Sequence, residues 1–367
     1  MDFLIKPCSF LFIIILTYLL KRAGLFHKDL SKIVMKIVLN VTLPAAAISA
    51  FTDPGRDLSM LLLVILGFGG AVGSYFLMFL LSSEKITCRL RYVARERLHR
   101  TISCPRRIGS LSEPCELSEQ ACRAAAHPRE SFCYTGKRRE LSCITKKEDR
   151  ILYLIGVSGF NIGCYGMPVI NAFFGSIGTI TSIMFDIGNS AMMIGGNYAF
   201  TSILLHTDGT KEQIRVPDLL KRFFSSAAMV TYMVLLVFCI IGISIPQQVA
   251  DFISPLASAN AFLSMFMLGL LFTLPRKKAD WKGMAVVLAF RFAVAAALSF
   301  AMFHILPFSL EVRRIVILLL FCPMGSMSPG FIARCGGDGE LASFTNSMST
   351  LASLVVMSAL AGYFSIQ

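Results

Sequence analysis

The sequence predicts an all-α polytopic membrane protein, with ten transmembrane helices in two inverted repeats of five and broken crossover helices in the fourth and ninth spans. Three observations carry that expectation. Of 367 residues, 55% are hydrophobic and only 16% charged, with a mean hydropathy of +0.68, a balance suited to lipid. Apolar stretches of spanning or near-spanning length recur about ten times along the chain. Two of these, in corresponding places, hold glycines and prolines that an uninterrupted helix does not accommodate.

The apolar segments fall near 3–20, 33–51, 59–82, 151–174, 177–205, 223–244, 253–274, 283–304, 312–333 and 340–364. The first resembles a secretion signal, but Lys21, Arg22, Lys28 and Lys32 follow it instead of a small-residue cleavage site, so it reads as the first span. The organisation then runs as three spans over 1–83, an insertion at 84–150, the fourth and fifth spans over 151–205, a cytoplasmic linker at 206–222, and the last five spans over 223–367.

Basic residues set the orientation. Lys21, Arg22, Lys28 and Lys32 follow the first span, Lys211, Arg215, Lys221 and Arg222 the fifth, and Arg276, Lys277, Lys278 and Lys282 the seventh. The connection from Ile245 to Ser254 has no Lys or Arg. Basic connections belong in the cytoplasm, which puts both termini outside a cytoplasmic membrane crossed many times, with Arg313 and Arg314 as the exception.

The net charge of +13 does not point to nucleic acid, because 16 Lys and Arg against 9 Asp and Glu lie in residues 84–150 alone. Loop charge of this kind sets topology or meets anionic lipid. The same segment holds Cys88, Cys104, Cys115, Cys122, Cys133 and Cys143 without a C-x-x-C pair, so no metal site is expected, and it shows no sustained apolar periodicity. It reads as a poorly ordered insertion.

The two interrupted spans carry the chemistry. The fourth contains Asn161, Gly163, Gly166 and Pro168; the ninth contains Pro323, Gly325, Ser326, Ser328 and Pro329. From Cys8 to Pro168 is 160 residues and from Arg222 to Pro329 is 107. Removing roughly 55 residues from 84–150 brings the halves into register, and five being odd, they must be inverted. Broken backbone at membrane depth is tolerated where it is buried in protein or lines a cavity. Inverted halves with discontinuous helices characterise secondary transporters, whose substrate sits at the midplane, and half-helix amino ends suit an anion.

Polar residues at depth add to this. Arg291 lies ten residues past Trp281, roughly 15 Å along a helix and so near the bilayer centre. Its expected partner is either a substrate carboxylate or Asp186. Asp186 and Asn189 are candidates to bind a coupling proton or cation, with Asp186 alternatively the structural counter-ion of Arg291. Asn346, with Ser347 and Thr350, is placed to line the same cavity. Gly69 and Gly73 have a spacing that fits close helix packing. The methionines read as core filler. No catalytic motif such as G-x-S-x-G or H-E-x-x-H occurs, so an enzyme is not expected, nor is any cofactor beyond a coupling proton or sodium ion.

Asn161 through Pro168, Asn40 through Ala45 and Arg334 through Ser343 resemble the auxin efflux carrier family, which includes bacterial malate permease-like and plant PIN-type members. The resemblance covers nearly everything outside 84–150. It implies an often dimeric transporter with scaffold and transport subdomains, moving like an elevator, for small organic anions such as malate, malonate or auxin-like acids. By position it implies a crossover site using Asn161, Gly166, Pro168 and Pro323. Two other readings remain open: a sodium-coupled bile-acid-type carrier, and a non-transporting membrane sensor that keeps the carrier fold.

Overall fold

A computed structural model describes residues 2–27, 29–52, 60–82, 147–206, 221, 223–275, 277 and 280–366. The insertion expected at 84–150 lies outside the described residues up to position 146, as does the linker 206–222 apart from His206 and Lys221. Met1–Leu80 and Lys147–Gln367 pack as one compact unit.

All regular structure among the described residues is helical. In chain order the helices are α1 (Asp2–Arg22), α2 (Leu30–Ala50), α3 (Met60–Leu81), α4 (Lys147–Val157), α5 (Ile162–Leu204), α6 (Ala227–Ile241), α7 (Gln247–Leu271), α8 (Asp280–Ile305), α9 (Leu310–Leu320), α10 (Ser328–Arg334) and α11 (Gly339–Ile366). Six of them, α2, α3, α5, α7, α8 and the stretch Gly339–Phe364 of α11, are long and apolar enough to cross a membrane. The chain is therefore a polytopic membrane protein. Helix α4 starts at Lys147, four residues inside the segment expected to be insertion, with Glu148 and Asp149 in its first turn where they complement the helix dipole.

Helix α5 has 43 residues, roughly 65 Å if straight and about twice a hydrocarbon core. Gly175 resolves this. Its φ of 59° and ψ of −140° leave helical space for a conformation that residues with a Cβ rarely adopt. The chain doubles back there, because Phe160 and Asn189, on either side of Gly175, hydrogen-bond to one another. The two spans expected at 151–174 and 177–205 meet at this turn.

Two apolar cores sit side by side in this unit. One joins Leu43 of α2, Tyr165 and Phe185 of α5, Tyr232 of α6, Met265 of α7 and Leu319 of α9. The other joins Tyr75 of α3, Leu154 of α4, Val287 of α8 and Ile332 of α10. Val157 belongs to the second core and Phe160 to the first; Cys322 belongs to the first and Met324 to the second. Each interrupted stretch thus passes from one core to the other where its helix stops.

Close helix approach uses different glycines from those the spacing suggested. A Cβ on Gly67 would collide with the Phe185 carbonyl of α5, and one on Gly188 with the Val64 carbonyl of α3. Gly69 and Gly73 have nothing within 4 Å of that position and are exposed. The G-x-x-x-G pattern marks an outward face, and the packing seam lies one helical step away.

Basic side chains repeatedly serve helix carboxyl ends, whose last carbonyls have no partner in the helix. Lys21 donates to Leu270 O at 2.6 Å and Phe272 O at 3.1 Å, closing α7. Lys147 reaches His206 O at 2.8 Å just beyond α5. Arg313 donates to Phe308 O and Phe303 O, and Arg314 to Phe364 O. These bonds give the two arginines that break the charge rule a local structural role. In the first turn of α2, Lys32 bonds Asp29 at 2.9 Å and holds its carboxyl below the usual carboxylate range.

Candidate functional site

The first interruption is Ser158–Asn161, earlier than the glycines and proline that predicted it. Gly159 adopts φ +75° and ends α4. Ile162–Gly166 then forms a π-helical turn, in which Gly166 N–H donates to Asn161 O at 3.0 Å. Pro168 falls in the first turn of the α-helix that follows, where a missing donor is cheapest. Pro168 is therefore a helix-start residue and not the break itself. Gly163 and Gly166 act through their lack of side chains. A Cβ on Gly166 would lie 2.5 Å from Cys322 Sγ, and one on Gly163 would lie 3.0 Å from Leu43 Cδ2 and 3.3 Å from Asp186 Oδ2.

The second interruption is Cys322–Gly325, which contains Pro323, followed by a turn at Ser326 and Met327 and then α10. Pro329 sits in the first turn of α10 and is half-buried.

The two interruptions touch. Asn161 N–H donates to Pro323 O at 2.9 Å, and Asn161 Nδ2 donates to Ser326 Oγ at 2.8 Å. The amides expected to stand open at this point are mostly paired. Phe160 N–H goes to Asn189 Oδ1 at 2.9 Å, Ile162 N–H to Phe160 O, and Met324 N–H to Ser349 Oγ at 3.0 Å.

Arg291 holds the carboxyl ends of both interrupted helices. It is 2% exposed, and its guanidinium donates to Gly156 O and Val157 O at 3.1 Å, to Gly159 O and Pro323 O at 2.9 Å, and to Cys322 O at 2.7 Å. Nε also faces Cys322 O, at 3.3 Å. Phe160 stacks its ring 5.2 Å from the guanidinium carbon. Instead of Asp186, the guanidinium meets five backbone carbonyls at the negative ends of α4 and α9. That explains how a cation is kept at this depth without an ion pair.

Asp186, 5% exposed, makes no ion pair with Arg291. Its Oδ1 accepts from Asn189 Nδ2 at 2.9 Å and from Ser190 Oγ at 3.4 Å, and its Oδ2 lies 3.3 Å from where a Cβ on Gly163 would stand. Tyr232 Oη lies beside Gly163 with no hydrogen-bond partner of its own. Asn189 links the carboxyl to the first interruption, because its Nδ2 also donates to Phe160 O at 2.7 Å.

Asn346 is 6% exposed; its backbone carbonyl accepts from Ser349 and Thr350, while its Oδ1 has no partner. Ser328 Oγ, fully buried, also has none. Gly325 faces Met193, which no sequence pattern distinguishes from the other methionines. Ser347 lies elsewhere, accepting from Thr273 N–H at 2.9 Å.

Sequence reasoning missed Gly159, Ser349, Met193 and Asn197, whose side chain meets Ser158 Oγ at 3.0 Å. The first had a readable signal, since Ser158–Gly159 follows a run of apolar residues directly and fits a helix stop. The other three come from helices whose register against the breaks is a matter of packing alone. A scan against models of known protein families finds no match to this chain, and no curated protein matches it either.

Proposed function

We propose that the protein is a secondary transporter of small organic anions, mono- or dicarboxylates such as malate, malonate or auxin-like acids, working by an elevator-type movement in a cytoplasmic membrane. In this reading ten spans form two inverted halves of five, the interrupted stretches are the crossover helices of the fourth and ninth spans, and both termini lie outside. The resemblance to auxin efflux carriers points the same way.

The observation that carries the reading is the meeting of Asn161 with Pro323 and Ser326 inside the protein, next to the buried, unpartnered Ser328 hydroxyl. Irregular backbone at membrane depth that is braced this heavily serves something other than spanning. Arg291 positions the crossing in this account and leaves the substrate to the neutral donors around it.

Uptake and counterflow in proteoliposomes with labelled malate, malonate, succinate and indole acetate test the proposal. Saturable flux of at least one is expected; no saturable flux of any organic anion overturns it. One observation favours a sodium-coupled, bile-acid-type variant: the carboxyl of Asp186 accepts only neutral donors. Flux that requires a sodium gradient selects that variant.

A further inference from the structure

Gly163 keeps a place open beside the buried carboxyl of Asp186. A Cβ there would lie 3.3 Å from Asp186 Oδ2 and 3.5 Å from Tyr232 Oη, with Leu43 Cδ2 at 3.0 Å on a third side. Three helices meet at this point. Leu43 comes from α2, Tyr232 from α6, and Gly163 and Asp186 from the two halves of α5 on either side of Gly175.

Both oxygens at this place are left over from the bonding around them. The hydrogen bonds to the Asp186 carboxyl, from Asn189 Nδ2 at 2.9 Å and Ser190 Oγ at 3.4 Å, end on Oδ1, and both donors are neutral. Tyr232 is 0% exposed, and its hydroxyl has no hydrogen-bond partner. A buried carboxylate needs a countercharge, and a buried hydroxyl needs a partner. One small monovalent cation supplies both, because carboxylate and phenol oxygens each have lone pairs to give it. Calcium, which takes six to eight oxygens and usually several carboxylates, suits a single carboxylate poorly.

The same place is tied to the first interruption. Gly163 lies two residues past Asn161 in the π-helical turn Ile162–Gly166. Asn189, which bonds Asp186 Oδ1, also bonds the N–H and the carbonyl of Phe160. A cation held by Asp186 therefore braces the backbone that leads into the crossing, and two ligands sharing one support bias each other's binding.

Resting on the transport reading above, we propose that this place is a sodium site, with Asp186 Oδ2 and Tyr232 Oη as its protein ligands and water completing the shell. Gly163 stands there because any side chain would fill the site. The ion is coordinated only; no covalent change is involved.

The test is the melting temperature of the full-length protein in detergent, at fixed pH and ionic strength, as sodium chloride replaces choline chloride, with proteoliposome counterflow of labelled malonate and labelled indole acetate in parallel. The wild type is expected to melt higher as sodium rises, because the ion binds the folded protein. Tyr232→Phe removes an oxygen that bonds nothing else, and is expected to fold and to need about tenfold more sodium, or beyond, for the same rise. Gly163→Ala puts a methyl group in the site and serves where the phenylalanine variant does not fold. Tyr165→Phe removes another buried, unpartnered hydroxyl of the same core, farther from Gly163, and is expected to keep the wild-type response. A rise that Tyr232→Phe keeps at unchanged sodium concentrations overturns the site, and so does a wild type that responds to pH but not to sodium. Counterflow by the wild type without any sodium response overturns the site alone. A sodium response lost in Tyr232→Phe without wild-type counterflow supports the site and overturns the transport reading, and the absence of both overturns both.

Discussion

Asn189 pairs both edges of its amide with the backbone of Phe160, accepting from its N–H at 2.9 Å and donating to its carbonyl at 2.7 Å. In a β-sheet a neighbouring strand would satisfy that residue. Here one side chain from the returning half of α5 does so, and the same Nδ2 group holds Asp186 at 2.9 Å. The interruption after α4, the reversal at Gly175 and the buried carboxyl are thus one connected assembly.

Asn189→Ala leaves the Phe160 N–H and C=O without partners where no water replaces them. The expected loss is about 2–4 kcal/mol, from two buried groups at roughly 1–3 kcal/mol each less partial relaxation. A lowered melting temperature in detergent checks this. An unchanged melting temperature shows that the first interruption does not depend on Asn189.

Arg291→Met removes the donors for five carbonyls, and the same cost per group predicts severe loss of folded protein. Arg291→Lys keeps the charge but offers three donors from one point, so an intermediate melting temperature is expected. Because the guanidinium is committed to backbone, the lysine variant that folds should keep its substrate affinity within about threefold. A much larger loss of affinity without loss of stability assigns Arg291 to the substrate instead.

Asp186→Asn preserves shape and an acceptor toward Asn189 while removing the ionisable group. Uptake driven by a proton or sodium gradient should fall by about tenfold or more, while counterflow, which needs no coupling, is retained. Its melting temperature should hold or rise, since a neutral amide is cheaper to bury than a carboxylate. Equal loss of uptake and counterflow makes Asp186 a structural residue.

Two glycine substitutions separate packing from backbone preference. Gly69→Ala, open in the structure, should stabilise α3 by about 0.5–1 kcal/mol, the difference in helix preference. Gly188→Ala must push aside the Val64 carbonyl and the Phe68 amide and should cost about 1–3 kcal/mol as an overpacked site. Melting temperatures of the pair check the order, and a reversed order contradicts the packing of α3 on α5.

Apolar runs and punctuation made much of this architecture readable. Gly175 divides α5 between the segments that hydropathy had placed at 151–174 and 177–205, and Pro323 lies within its break as composition suggested. Pro168 misled by seven residues, because a π-turn let the helix carry it and Gly159 took the strain. Arg291 was legible as a buried cation that needs a partner, but not as one held by carbonyls, since backbone acceptors leave no mark on a sequence. Met193 and Asn197 were illegible for a related reason: which face of α5 meets the interruptions is decided by packing between helices far apart in the chain.

The most direct measurement is counterflow of labelled malonate and labelled indole acetate in proteoliposomes holding the wild type or Asn161→Ala, the variant that loses the bond to Ser326 but keeps the backbone bond to Pro323. Saturable exchange by the wild type that falls by about tenfold or more in folded Asn161→Ala protein is the predicted result. Exchange that is absent from the wild type, or equal in the two proteins, contradicts an anion site where the interrupted spans cross.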